Sequence, residues 1–259
     1  MPRLKPAILP GIAIAVVATA GTAFAVTGGD DRHPAFVQSG ADAGRPVVVR
    51  TVAPSAEPPT AEANDARRRV ADALSGTGLR IPAGWEIVSV RQERHDQRDV
   101  TLIRHQPDGY RLGGPHASLV LDARGTILGF TRLHDGADGP LPDRRRAEEI
   151  ALRFLRQVAP DDVDGLSVHW VDQHDETVTL TDGTTATISG MKVKMHHDDG
   201  LYSWVVVGRD GAVLTYERDI AWDSGQGRRG TQMWLHDSWI AAREGTGPQP
   251  APPYALATS

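Results

Sequence analysis

Apolar positions in the middle of the chain recur first at helical spacing and then at strand spacing, and they do so twice. Ala147, Ile150, Ala151, Phe154, Leu155 and Val158 fall at i, i+3, i+4, i+7, i+8 and i+11, which lines one face of a helix. Asp143 stands at the N-cap position and Pro160 stops the run. Earlier, Ala66, Val70, Ala73 and Leu74 form a shorter stripe, with Asn64 or Asp65 to cap it and Gly76 to end it. Each helix therefore has one face to bury.

After each helix the period shortens to two. Met191-Lys192-Val193-Lys194-Met195 alternates apolar and cationic residues, Asp199-Gly200 predicts a hairpin turn, and Tyr202 to Val207 returns as a more buried strand. Arg209-Asp210-Gly211 then turns the chain into Ala212 to Glu217. The earlier stretch repeats the pattern through Pro107-Asp108-Gly109 and Ala123-Arg124-Gly125.

The repetition extends to residue types. Arg67-Arg68-Arg69-Val70-Ala71-Asp72 aligns with Arg144-Arg145-Arg146-Ala147-Glu148-Glu149 at an offset of 77, and residues 117–130 align with 203–216 at an offset of 86. The elements keep their order, and the later copy is nine residues longer between them (86 − 77). An internal duplication predicts an α+β fold of two repeats, residues 63–135 and 136–222, each a helix packed on its own antiparallel sheet.

A helix such as Ala147-Glu148-Glu149-Ile150-Ala151-Leu152-Arg153-Phe154-Leu155, followed by a strand, turn and strand such as Val120-Leu121-Asp122-Ala123-Arg124-Gly125-Thr126-Ile127-Leu128-Gly129-Phe130, resembles the PepSY domain. The resemblance spans roughly residues 64–222 as two copies. It implies a PepSY/cystatin-like fold in an exported or envelope protein, no catalytic residues, and a role such as restraining a secreted peptidase. The second copy departs in having Gly208 where the first has Asp122.

The flanks set the expected address. Arg3 and Lys5 precede an apolar run from Ala7 to Val26, and Ala23-Phe24-Ala25 forms a small-x-small pattern, which reads as an export signal over residues 1–25 cut after Ala25. The run is also just long enough for an uncleaved anchor, the one route by which this chain would touch a membrane. Residues 26–62 are rich in Gly, Ala, Asp and Pro and predict a disordered linker, save that Pro46 to Val52 can add an edge strand. Residues 246–259 repeat that composition and predict a disordered tail.

Composition narrows the chemistry. The chain has no cysteine, which excludes disulfides, thiolate nucleophiles and a lipid anchor. Removing Arg3 and Lys5 from 28 cations leaves 26 against 33 acids, a net charge of −7 for the mature form. That sign disfavours nucleic acid as a partner. His-Glu-x-x-His, Gly-x-Ser-x-Gly, phosphate-loop and dinucleotide-binding patterns are all missing. A non-catalytic binding or regulatory module without a cofactor is therefore expected, with a membrane-tethered structural or sensory envelope protein as the alternative and a hydrolase with a site outside these motifs as the less favoured reading.

Three features offer candidate sites. His169, His174, His196 and His197 lie near Asp172, Asp175, Asp198 and Asp199, all metal-ligand types, but neighbouring strand residues point to opposite faces and no metal is expected. Arg68 with Asp72 and Arg145 with Glu149 stand at i, i+4, so the triple-Arg runs read as ordinary helix pairs. Trp222, Trp234 and Trp239 crowd a segment, residues 223–245 and its border, that follows the second repeat. They are the candidate partner-binding residues, for an exported peptidase or a cell-wall component, with burial against the sheet as the alternative.

Overall fold

The protein is seen in a computed structural model that describes residues 60–134 and 138–257. The expected signal, the linker up to residue 59 with its candidate edge strand, and residues 135–137 lie outside the described residues. Among the described residues no helix is long and apolar enough to cross a membrane.

The chain runs α1 (Thr60–Leu74), β1 (Glu86–His95), β2 (Arg98–Gln106), β3 (His116–Asp122) and β4 (Ile127–Leu133), then α2 (Arg144–Val158), the single turn α3 (Pro160–Val163), and β5 (Leu166–Thr179), β6 (Thr185–His197), β7 (Tyr202–Gly208) and β8 (Val213–Ile220). A two-stranded ribbon of β9 (Trp222–Asp223) and β10 (Arg228–Arg229) follows, then α4 (Asp237–Arg243). Asp143 caps α2 by accepting the Arg146 backbone N–H at 2.8 Å, and the turns at Gly125, Gly200 and Gly211 place glycine at positive φ, where a β-carbon would be strained.

The expectation of two repeats, each a helix on its own sheet, is overturned. Strands β1 to β8 form one antiparallel sheet in the order β1-β2-β3-β4-β8-β7-β6-β5. The join is β4 against β8, with Phe130 opposite Tyr216, Gly129 opposite Glu217 and Thr131 opposite Thr215. The Thr131 and Thr215 hydroxyls meet at 2.8 Å. Separate sheets would have left Leu128-Gly129-Phe130 and Leu214-Thr215-Tyr216 as apolar, uncharged edges, a template for aggregation. Pairing them removes both edges at once. Phe130 and Tyr216, which the internal alignment sets as equivalents, are thus direct neighbours.

Nor are there two cores. Both helices lie on one face, where Ala66 and Val70 of α1 and Ala147, Ala151, Phe154 and Leu155 of α2 share a single cluster with Ile103, Leu119, Phe130, Val193, Val205 and Tyr216. Phe154 meets Tyr216 edge to face at 5.2 Å between ring centroids, a favoured aromatic geometry. Each strand's alternate residues point to the opposite face, and that face is covered differently along its length.

Over β2 to β4, Val100, Val120 and Leu128 are roofed by Met233, Trp234, Leu235, Trp239, Ile240 and Ala255. The expected loose tail at 246–259 is in this roof through residue 257. Arg229 donates its backbone N–H to the Pro253 carbonyl at 2.9 Å, Arg228 donates to the Tyr254 carbonyl at 3.0 Å, and Ala255 is buried. Proline and alanine here serve packing, because the apolar side chains beneath them need a cover and the tail is the segment within reach.

Candidate binding face

The opposite face carries three groups of polar side chains, from the roofed half outward. The first is a clamp. Arg104 on β2 donates to both Asp237 carboxylate oxygens at 2.7 and 2.8 Å, and Asp237 also accepts the Gly113 N–H at 2.6 Å. Burial opposes ionisation of Asp237, but Arg104 and His116 outweigh it and hold its carboxyl down to about 2. Bidentate pairing of this kind fixes direction as well as distance, so α4 is seated on β2.

The second group sits at the sheet centre. Glu217 of β8 is 2% exposed. One of its oxygens lies 2.6 Å from the Arg229 guanidinium; the other accepts the Trp204 indole N–H at 3.0 Å and lies 3.0 Å from His236 Nε2. Burial opposes its charge, yet Arg229 and His236 hold the Glu217 carboxyl far below the usual carboxylate range. Arg229 is itself fixed, donating to the Thr231 and Gln232 carbonyls at 2.9 and 2.8 Å. Lys192 of β6 stands 4.2 Å from the Trp204 ring centroid. Burial pushes its ammonium down to about 8, against the pull of Glu217 and Glu176. His174 and Glu176 of β5 pair at 2.9 Å; burial lowers the His174 pKa, and the bond to His174 outweighs burial to lower that of Glu176.

The third group lies on β5 to β7, beyond the roof. Lys194 directs its ammonium at three rings, 4.2 Å from Tyr202, 5.1 Å from Trp222 and 6.0 Å from Trp170. Register explains the grouping: Lys194 faces Trp170 across β5 and Trp204 across β7, and His196 faces Tyr202. The His196 and Tyr202 rings are 4.8 Å apart. Trp170, Lys194, His196, Tyr202 and Trp222 are all half-buried, with part of each side chain reaching solvent.

The three candidate tryptophans are not brought together. Trp234 and Trp239 pack edge to face at 4.8 Å inside the roof and are 4% and 1% exposed, so they are core. Trp222 stands apart, on β9 beside Lys194. The histidines form no single group, although His169 stacks on Tyr202 at 6.2 Å beside His196. His174 pairs with Glu176, His197 lies 3.0 Å from Asp199, and His196 packs on Tyr202. Among the described residues no three metal-ligand side chains gather. Of the arginine runs, Arg145 does pair with Glu149 at i, i+4 (2.6 Å), whereas Arg68 takes Asp65 at i, i+3 instead of Asp72.

Sequence reasoning missed Lys192, Lys194, Glu217 and Arg229. A signal existed for the lysines: the chain has three in all, Lys5, Lys192 and Lys194, while arginine supplies the other 25 of 28 cations. Two lysines two residues apart on one strand must share a face. Compared with family models, with curated proteins and with solved structures, the chain matches none.

Proposed function

We propose that the chain is an exported, non-catalytic binding module of the cell envelope, with the unroofed half of the opposite sheet face as its working surface. The observation that carries this is the unequal cover. The face over β2 to β4 is sealed by the C-terminal segment through a buried clamp, while one end of β5 to β7 presents a cation among three part-exposed rings. Aromatic and cationic side chains held on a rigid sheet are the usual material of recognition sites.

A wall polymer suits this surface better than a folded peptidase. A stable protein interface buries about 800 Å² per partner around an apolar centre, yet Leu256 is the one large hydrophobic residue found exposed among those described. Small part-exposed rings beside a charge fit a narrow hydrophilic chain. Restraint of an exported peptidase, which the PepSY resemblance implies, is the competing use of the same module.

The test is co-sedimentation of purified protein with isolated cell-wall material and, in parallel, capture of exported proteins from culture medium. The expected result is saturable binding to wall material that falls at least tenfold in the Trp170→Ala, Trp222→Ala double variant, which keeps its thermal transition. Capture of a peptidase with no wall binding would replace the first use with the second. If neither is retained, the reading fails. The address is checked on the same sample, because a mature chain beginning at Val26 is expected by mass spectrometry.

A further inference from the structure

Lys194 differs from every other cation on this face in what surrounds it. Arg229 has Glu217 at 2.6 Å, Arg104 has Asp237 at 2.7 Å, and Arg91 has Glu93 and Glu244, each at 2.7 Å. Lys192, two residues earlier, is buried near Glu217 and Glu176. Lys194 has no carboxylate near its charge; Tyr202, Trp222 and Trp170 lie at 4.2, 5.1 and 6.0 Å, and the other charge within reach is the like-signed Lys192. Burial lowers its pKa and no carboxylate offsets that loss. An ammonium carries three N–H donors, and among the described residues none of those on Lys194 has an oxygen acceptor.

A cage of aromatic rings ordinarily recognises a cation brought by a ligand. Here the chain's own ammonium fills the cage, so a cationic ligand is repelled and the outward donors call for an anion. The rings set the rest of the ligand. Trp170, Tyr202 and Trp222 are half-buried, leaving faces and edges against which the C–H surface of a sugar ring can lie while its hydroxyls stay in water. A lone ammonium is a point charge that balances the single charge of a carboxylate, whereas a phosphate dianion would keep an uncompensated charge beside the three rings.

We propose that Trp170, Lys194, Tyr202 and Trp222 form a subsite for a carboxylate-bearing sugar unit of an extracellular polymer, with Lys194 taking the carboxylate and the rings taking the sugar faces. This rests on the binding-module reading above and names the ligand of that surface.

The test is titration of the full mature chain with tetragalacturonate, followed by tryptophan fluorescence and calorimetry, with maltotetraose, tetraglutamate and inorganic phosphate as comparison probes. Tetragalacturonate is expected to bind saturably, at least tenfold more tightly than each comparison probe, and to weaken as salt is raised. Lys194→Met should lose at least tenfold of that affinity and Lys194→Arg should regain part of it. Trp222→Ala, at the edge of the cage, should lose a similar amount and serves if Lys194→Met fails to fold. Equal binding of maltotetraose would remove the role of charge, and equal binding of tetraglutamate would remove that of the sugar. Either result overturns the proposal, as does undiminished binding by a folded Lys194→Met protein. If the acid sugar fails while wall material still co-sediments, this inference alone falls; if both fail, the binding-module reading falls with it.

Discussion

Glu217→Leu is expected to lower the unfolding free energy by about 3–5 kcal/mol, the usual consequence of removing one member of a buried ion pair. The reason lies in what is left behind. Arg229 is 3% exposed, and its donors to the Thr231 and Gln232 carbonyls hold it in place, so its charge cannot turn out to water. Trp204 and His236 lose their shared acceptor in the same step, and a buried donor without a partner adds its own cost. Removing both charges should be gentler than removing one. The Glu217→Leu, Arg229→Leu pair is expected to recover much of the loss, with a coupling of roughly 1–3 kcal/mol in the double-mutant cycle. Urea denaturation of the four proteins measures it, and additive losses would show that the two charges are solvated separately.

Trp239→Ala is expected to cost about 3–5 kcal/mol, the range for truncating a buried aromatic, whereas Trp222→Ala should cost about 1 kcal/mol or less, as for a residue outside the core. Trp239 is 1% exposed and meets Trp234 edge to face at 87°, in a cluster with Val100, Val120 and Leu128. Its loss opens a cavity under the roof and loosens α4, whose first residue Asp237 also carries the clamp to Arg104. Thermal unfolding of the two variants, with binding of an apolar dye as a second readout, separates them. Equal small effects would place Trp239 on the surface with Trp222.

These contrasts mark where the sequence could be read and where it could not. Asp143, the Ala147 to Val158 stripe and the Asp199-Gly200 turn are local signals, because capping, helical period and positive φ depend on residues a few positions apart. The α1 stripe was legible for the same reason, although the helix begins at Thr60, ahead of the Asn64 or Asp65 cap. The joining of β4 to β8 is a decision between segments more than 80 residues apart. Nothing within either repeat states it; only the apolar, charge-poor character of Leu128-Gly129-Phe130 hints that an edge there would be intolerable.

The polar groups follow the same rule. Lys194 and Trp170 are cross-strand neighbours only once β5 and β6 are in register, and a bulge between Val168 and Trp170 decides which face Trp170 takes. Glu217 looked like the end of an ordinary strand because its partners, Arg229 and His236, come from a segment whose path over the sheet is tertiary. The three tryptophans crowded in sequence at 222, 234 and 239 are divided by that path between core and surface. Crowding along the chain is therefore a poor guide to crowding in space here. The packing of the tail is hidden for a related reason, since composition reports that Pro250 to Pro253 cannot form regular structure and is silent on whether it packs.

The opposite face of the one sheet is sealed over β2 to β4, stays buried at Lys192, Trp204 and Val206 on β6 and β7, and opens where Trp170, Lys194 and Tyr202 stand. Oxidative footprinting of the six tryptophans, with modified peptides counted by mass spectrometry under native conditions, tests it directly. Trp170 and Trp222 are expected to be modified early, and Trp204, Trp234 and Trp239 only as the protein unfolds. Modification of Trp234 and Trp239 at the rate of Trp222 would contradict the account, because the roof would then be open and the working surface would lie elsewhere.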